Sequence, residues 1–209
     1  MDNLGMEQND LKDANTPSQS SHVEIPKLFY SDATGMPFHR CVDCGISLLE
    51  SGTHYFIEKA IKNYPKLGTT DTIIEYAICY ECYMEVQKSL SKQSLQSIET
   101  YFLENVNLYT RMKEVLEPVD SDPERWLSKC IVKGIDRKTA PEYQIMCECT
   151  GNQMHLSLAP YMVSMEALNE ITDLLSAQTL DALNDFHKEH LGMPPELEPI
   201  LKDQPYFMF

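Results

Sequence analysis

Cys41-Val42-Asp43-Cys44-Gly45 and Cys79-Tyr80-Glu81-Cys82 decide the reading of this chain, and 34 residues lie between Cys44 and Cys79. A two-residue spacer turns the backbone back on itself, so each pair of thiolates can reach one ion at about 2.3 Å. Gly45 directly after the first pair supplies the backbone freedom that such a turn needs. Four sulfurs complete a tetrahedral shell and leave no open position, which points to a structural zinc ion rather than a catalytic one. Iron fits the same four-sulfur set.

The residues around the quartet set its frame. Segments 54–61 and 72–78 are rich in β-branched and aromatic side chains and predict two strands. Asn63, Pro65 and Gly68 fall between them, so a hairpin with a loop over 62–71 is expected. From Cys79 onward the apolar period turns helical, with Tyr83, Val86 and Leu90 on one face. The order is therefore a cysteine turn, a hairpin, and a second cysteine pair opening a helix. This order resembles the treble-clef class of zinc fingers over roughly residues 37–92. The resemblance implies zinc held by Cys41, Cys44, Cys79 and Cys82, and it implies no particular activity.

C-terminal to the quartet, Ser91 predicts an N-cap for a helix with Leu95, Ile98, Phe102 and Val106 inward, and Leu90 and Leu95 a hydrophobic staple across it. A shorter helix is expected at 108–116, ended by Pro118, and Asp122-Pro123 opens another carrying Trp126 and Leu127. Cys130 to Val132 reads as a short strand, joined to a hairpin of 143–149 and 154–158 around Thr150-Gly151-Asn152-Gln153. Two acidic helices follow, capped by Ser164 and Thr179, with Met165, Leu168, Ile171 and Leu175 inward on the first. Leu180, Leu183, Phe186 and Leu191 face inward on the second, and Gly192 ends it. No repeat at a fixed period is visible.

The expected class is α+β. It comprises a disordered tail at 1–21, a treble-clef-like zinc module (hairpin plus helix) at 22–95, and a helical connector at 96–129. A small antiparallel sheet with C-terminal helices at 130–192 and a tail at 193–209 complete it. Ile25, Leu28, Phe29 and Tyr30 are expected to dock on the module that follows them. The apolar end Tyr206-Phe207-Met208-Phe209 is expected to dock on its own fold or on a partner.

Charge and cysteine usage narrow the function. The net charge is −15, and no segment is positive: 37–95 carries −1 and 143–209 carries −8. Nucleic-acid binders concentrate basic charge, so a nucleic-acid partner is disfavoured and an anionic membrane surface equally so. No apolar run reaches the roughly 18 residues of a membrane helix, and the first residues lack the pattern of a signal peptide. Seven cysteines, four of them at metal spacing, favour a reducing, cytoplasmic setting over a disulfide scaffold.

The remaining candidates are weaker. Cys130, Cys147 and Cys149 could share one sheet face as a second metal or redox site, but alternating cysteines in a strand are usually small core filler. His187 and His190 read as part of a solvated acidic helix face. His39 and His54 flank the first cysteine pair, whose shell four sulfurs already fill. His54-Tyr55 is similar in position to the catalytic histidine of treble-clef nucleases. The following helix offers Tyr83, Glu85 and Gln87 where those enzymes need a second histidine or asparagine. No phosphate loop, dinucleotide fingerprint, nucleophile elbow or HExxH motif occurs. The expectation is a protein-interaction or adaptor module with a structural zinc, and no catalytic residue is assigned. The alternative is an enzyme with its site between the two main segments.

Overall fold

A computed structural model describes residues 22–116 and 122–192. The expected tails at 1–21 and 193–209, Pro118, and the Tyr206–Phe209 end lie outside the described residues. The described chain is α+β, with an antiparallel sheet and six α-helices. The strands are β1 (His22–Glu24), β2 (His54–Tyr64), β3 (Thr69–Cys79), β4 (Glu142–Thr150), β5 (Gln153–His155) and β6 (Tyr161–Ser164). The helices are α1 (Tyr80–Ser89), α2 (Lys92–Asn105), α3 (Leu108–Leu116), α4 (Pro123–Trp126), α5 (Met165–Thr172) and α6 (Ala177–His190).

The order across the sheet is β1-β5-β4-β2-β3, with β6 also paired to β4. β2 and β4 pair antiparallel from His54↔Thr150 to Lys62↔Glu142, so segments 22–95 and 130–192 share one sheet. β2 is thus a central strand, and its middle is buried on both faces. Ile57, Ile78, Leu127, Ile145, Met154, Met162 and Leu168 are among the largest fully buried side chains. Ile25 and Phe29 join this core, with a 3₁₀ turn at Lys27–Phe29.

The hairpin is tighter than expected. β2 continues to Tyr64 and β3 resumes at Thr69, with one bulge at Ala60/Ile61 and Gly68 at φ 64° in the turn. Tertiary partners extend the strand: Asn63 Nδ2 donates to the carbonyls of Arg137 (3.2 Å) and Lys138 (2.8 Å), and Lys62 pairs with Glu142. Two further expectations are corrected. The N-cap of α6 is Ser176, whose Oγ accepts from the Thr179 amide, so the helix starts a turn earlier and Thr179 is buried inside it. Cys130 to Val132 is not a strand; it is a turn that touches β6 through one isolated Cys130↔Met162 bridge.

That turn reveals an internal two-fold repeat. At Cys41, the amide donates to Ile46 O (3.0 Å), the Gly45 amide to Cys41 O (3.0 Å), and the Val42 amide to Ala77 O (2.8 Å). At Cys130, the amide donates to Ile135 O (2.8 Å), the Gly134 amide to Cys130 O (2.8 Å), and the Ile131 amide to Met162 O (2.8 Å). Gly45 and Gly134 both sit at positive φ, 72° and 66°, where a Cβ would be strained. Each turn is followed by a strand pair and a helix. Tyr55 pairs with Cys79 at the end of the first, and Tyr143 with Ser164 at the end of the second. The antiparallel β2–β4 register obeys the same symmetry, with Glu58↔Met146 on its axis. Helices α1 and α2 correspond to α5 and α6.

Candidate metal centre

The four cysteines expected to form a site do come together. Their sulfur atoms all lie within 4.8 Å of one another. Cys41 and Cys44 occupy the turn before β2, while Cys79 ends β3 and Cys82 lies in the first turn of α1. Cys79 is the N-cap residue of α1 but makes no side-chain cap, so its sulfur is free to face the other three. Cys44 Sγ and Cys79 Sγ are 3.7 Å apart. Sulfurs bound tetrahedrally at about 2.3 Å stand about 3.8 Å from one another, so the spacing fits an ion such as zinc. Cys41 and Cys79 are buried, Cys82 is half-buried and Cys44 is exposed. Arg40 Nη1 donates to Gly45 O at 3.0 Å and braces the turn from outside.

The electrostatics favour thiolates unevenly. Burial pushes the Cys79 thiol up to about 11 and the Cys82 thiol higher still. Burial also raises Cys41, but backbone amides of Cys79, Cys44 and Asp43 outweigh it and hold that thiol below its ordinary value. The Cys79 amide reaches Cys41 Sγ at 3.4 Å. A bound dication would hold all four as thiolates, so metal uptake here releases protons.

The repeated half lacks this donor set. Cys130 stands where Cys41 does, but Lys133 replaces Cys44, Ser164 replaces Cys79 and Ala167 replaces Cys82. Cys130 Sγ instead accepts hydrogen bonds from the amides of Lys133 and Ser164 and from the Ser164 hydroxyl, each at 3.3 Å. Ser164 therefore sits at the N-cap of α5 without capping it. Lys133 turns outward to Glu170 at 2.5 Å. Cys147 and Cys149 are buried neighbours with sulfurs 3.7 Å apart, and among the described residues Cys130 does not join them in a donor cluster.

The histidines divide. His187 is buried rather than solvated, and desolvation lowers it to about 4, so it is neutral at physiological pH. His190 lies 3.8 Å from Asp43 in the cysteine turn and packs on Phe186. His54 lies close to Glu148 and His155, a grouping the sequence reading did not find because it depends on strand register.

A separate cleft of about 440 Å³ opens beside α3 and α4. Among the described residues, Arg111, Arg125, Trp126 and Lys129 line it together with apolar and neutral polar side chains. The Arg111 guanidinium stacks over Trp126 at 4.3 Å. Among the described residues no helix is long and apolar enough to cross a membrane. No protein-family model, curated protein or solved structure matches this chain.

Proposed function

We propose that this protein is a zinc-stabilised interaction module of the treble-clef type, in which zinc is structural and the surface contacts another protein. The observation that carries this reading is the closed thiol set. Four sulfurs leave a tetrahedral ion no position for substrate, so its work is to hold the Cys41 turn against the root of α1. The order of turn, hairpin and helix supports the treble-clef assignment. An exposed apolar face supports the interaction role: Tyr109 is 80% and Met112 55% exposed, one turn apart on α3. Contact with another protein there would bury both side chains, and aromatic and methionine side chains are enriched at such interfaces.

The test compares three proteins purified from the native cell: wild type, Cys79→Ser, and the double variant Tyr109→Ser/Met112→Ser. Wild type is expected to carry zinc. Cys79→Ser is expected to lose that zinc and its cooperative unfolding. The α3 variant is expected to keep both while losing a partner that wild type retains. Wild-type protein with no zinc or iron overturns the metal reading. An unchanged set of partners on the α3 variant overturns the interaction surface.

A further inference from the structure

Strand register places three donors side by side at one end of the sheet. His22 on β1 faces His155 on β5. β5 adjoins β4, where Glu148 faces Phe56 of β2, two residues along from His54. Ligand atoms of His54, Glu148 and His155 lie within 4.8 Å of one another. His54 Nε2 is 2.7 Å from Glu148 Oε1, and His155 Nδ1 is 3.7 Å from the same oxygen. We propose that His54, Glu148 and His155 hold a second divalent transition-metal ion of the zinc class, at a solvent-facing site distinct from the four thiols.

The chemistry of the set supports this. Two imidazoles and one carboxylate make a three-donor site that leaves room for water or another oxygen ligand. Donors bound tetrahedrally at about 2.0–2.1 Å stand about 3.3 Å apart, and the two separations fall on either side of that value. Both ring nitrogens face the same carboxylate oxygen, His54 within hydrogen-bond reach and His155 within ion-pair distance, so three donors converge on one point.

The outer partners are in place as well. His155 Nε2 is 2.8 Å from Thr150 Oγ1, which leaves Nδ1 to face Glu148. The Ser157 hydroxyl donates to Glu148 Oε2 at 3.3 Å, holding the carboxylate by its other oxygen. The His54 ring stacks on Tyr80 at 5.2 Å, and the His22 ring packs edge-on against His155 at 4.4 Å. Partners of this kind orient first ligands and fix their tautomers. The three side chains keep 32%, 26% and 23% exposure, so solvent reaches the open position.

The shared frame of the two halves does not demand these residues. The two-fold carries His54 onto Glu142 and Glu148 onto Ala60, and there Glu142 pairs with Lys62. The donor set is therefore an addition to one end of a symmetric scaffold.

The test is metal stoichiometry and cobalt spectroscopy on the full chain. Wild type dialysed against micromolar zinc is expected to hold two ions per chain, and both Glu148→Gln and His155→Gln one. With cobalt, the first ion gives intense thiolate charge-transfer bands, and the second adds only weak visible bands. Retained thiolate bands in the variants show that they are folded. If one variant loses those bands, the other and the wild-type spectrum carry the result. One ion per wild-type chain, a second ion taken up only at millimolar zinc, or a second ion retained by both variants overturns the proposal. A second ion that adds thiolate bands does so too.

Discussion

The Ser176 hydroxyl donates to the Ser91 hydroxyl at 2.9 Å, joining the N-caps of α6 and α2 across the local two-fold axis. The arrangement is reciprocal. The Ser91 amide donates to Thr179 Oγ1 at 3.0 Å, and the Ser176 amide donates to Ser94 Oγ at 2.9 Å. Each half thus supplies a hydroxyl to the helix start of the other. Ser94 and Thr179 are both fully buried.

Because these groups share one cluster, their substitutions should couple. Ser94→Ala and Thr179→Val each leave a backbone amide without its acceptor, which costs about 1–3 kcal/mol. The double variant should depart from the sum of the singles by more than about 0.5 kcal/mol in urea denaturation. Additive losses would mean that the two helix starts are independent.

The half without the four-thiol set should bind a metal if the same ligands are introduced. Lys133→Cys, Ser164→Cys and Ala167→Cys together with the native Cys130 rebuild the spacing of the Cys41 site. We expect this triple variant to bind one more zinc per chain than its parent, with about twice the cobalt–thiolate absorption. An unchanged metal content would show that the Cys130 turn is too far from the root of α5.

Lys59 should be costly to remove. Its side chain is 1% exposed, and Nζ meets Tyr30 O at 2.7 Å, Asp32 Oδ1 at 2.9 Å and Glu75 Oε2 at 3.1 Å. Glu75 also accepts from the Ser31 hydroxyl and from the amides of Asp32 and Ala33, so the group ties 31–33 to the hairpin. Lys59→Met should lower stability by on the order of 3 kcal/mol, since it strands a carboxylate. Lys59→Met/Glu75→Gln should recover part of that loss in thermal unfolding. A neutral Lys59→Met would show that the network adds no stability.

Two buried groups should shape stability against pH in opposite directions. Burial raises Glu58 to about 8, against a hydrogen bond from the Tyr76 hydroxyl at 2.7 Å. Its contribution is complete below its ordinary value of 4.5 and is lost as pH rises through about 8. Burial lowers His187 from 6.5 to about 4, so its contribution is present above 6.5 and is lost as pH falls through about 4. Glu58→Gln should flatten the decline between pH 6.5 and 8, and His187→Gln the one on the acid side, each on the order of a few kcal/mol. Denaturant titrations across pH check both, and slopes unchanged by the substitutions would remove these groups as the cause.

The cysteine quartet was legible because much of its information is local. Two CxxC pairs carry their geometry in their own spacing, and Gly45 marks the turn. Most helices were legible for a similar reason, since Leu168, Ile171, Leu183 and Phe186 recur at helical period and are buried. The repeat was not. Its first turn, 40–47, shares only Cys, Gly and Ile with 129–136, and its offset drifts from 89 residues at the turns to 85 at the helix caps.

The sequence by itself determined the two cysteine pairs, because a two-residue spacer fixes a short distance, while the β2–β3 hairpin and the Val42–Ala77 contact bring the pairs together. The tertiary structure decided what lies between distant segments. It made β2 a central strand, which buries Glu58 and Lys59 in a stretch that alternation would have placed half in water. It chose the β2–β4 and β4–β5 registers, which set His54 beside Glu148, 94 positions away, and His155 next to both. Register is a property of paired strands, and no single strand carries it in its own residues.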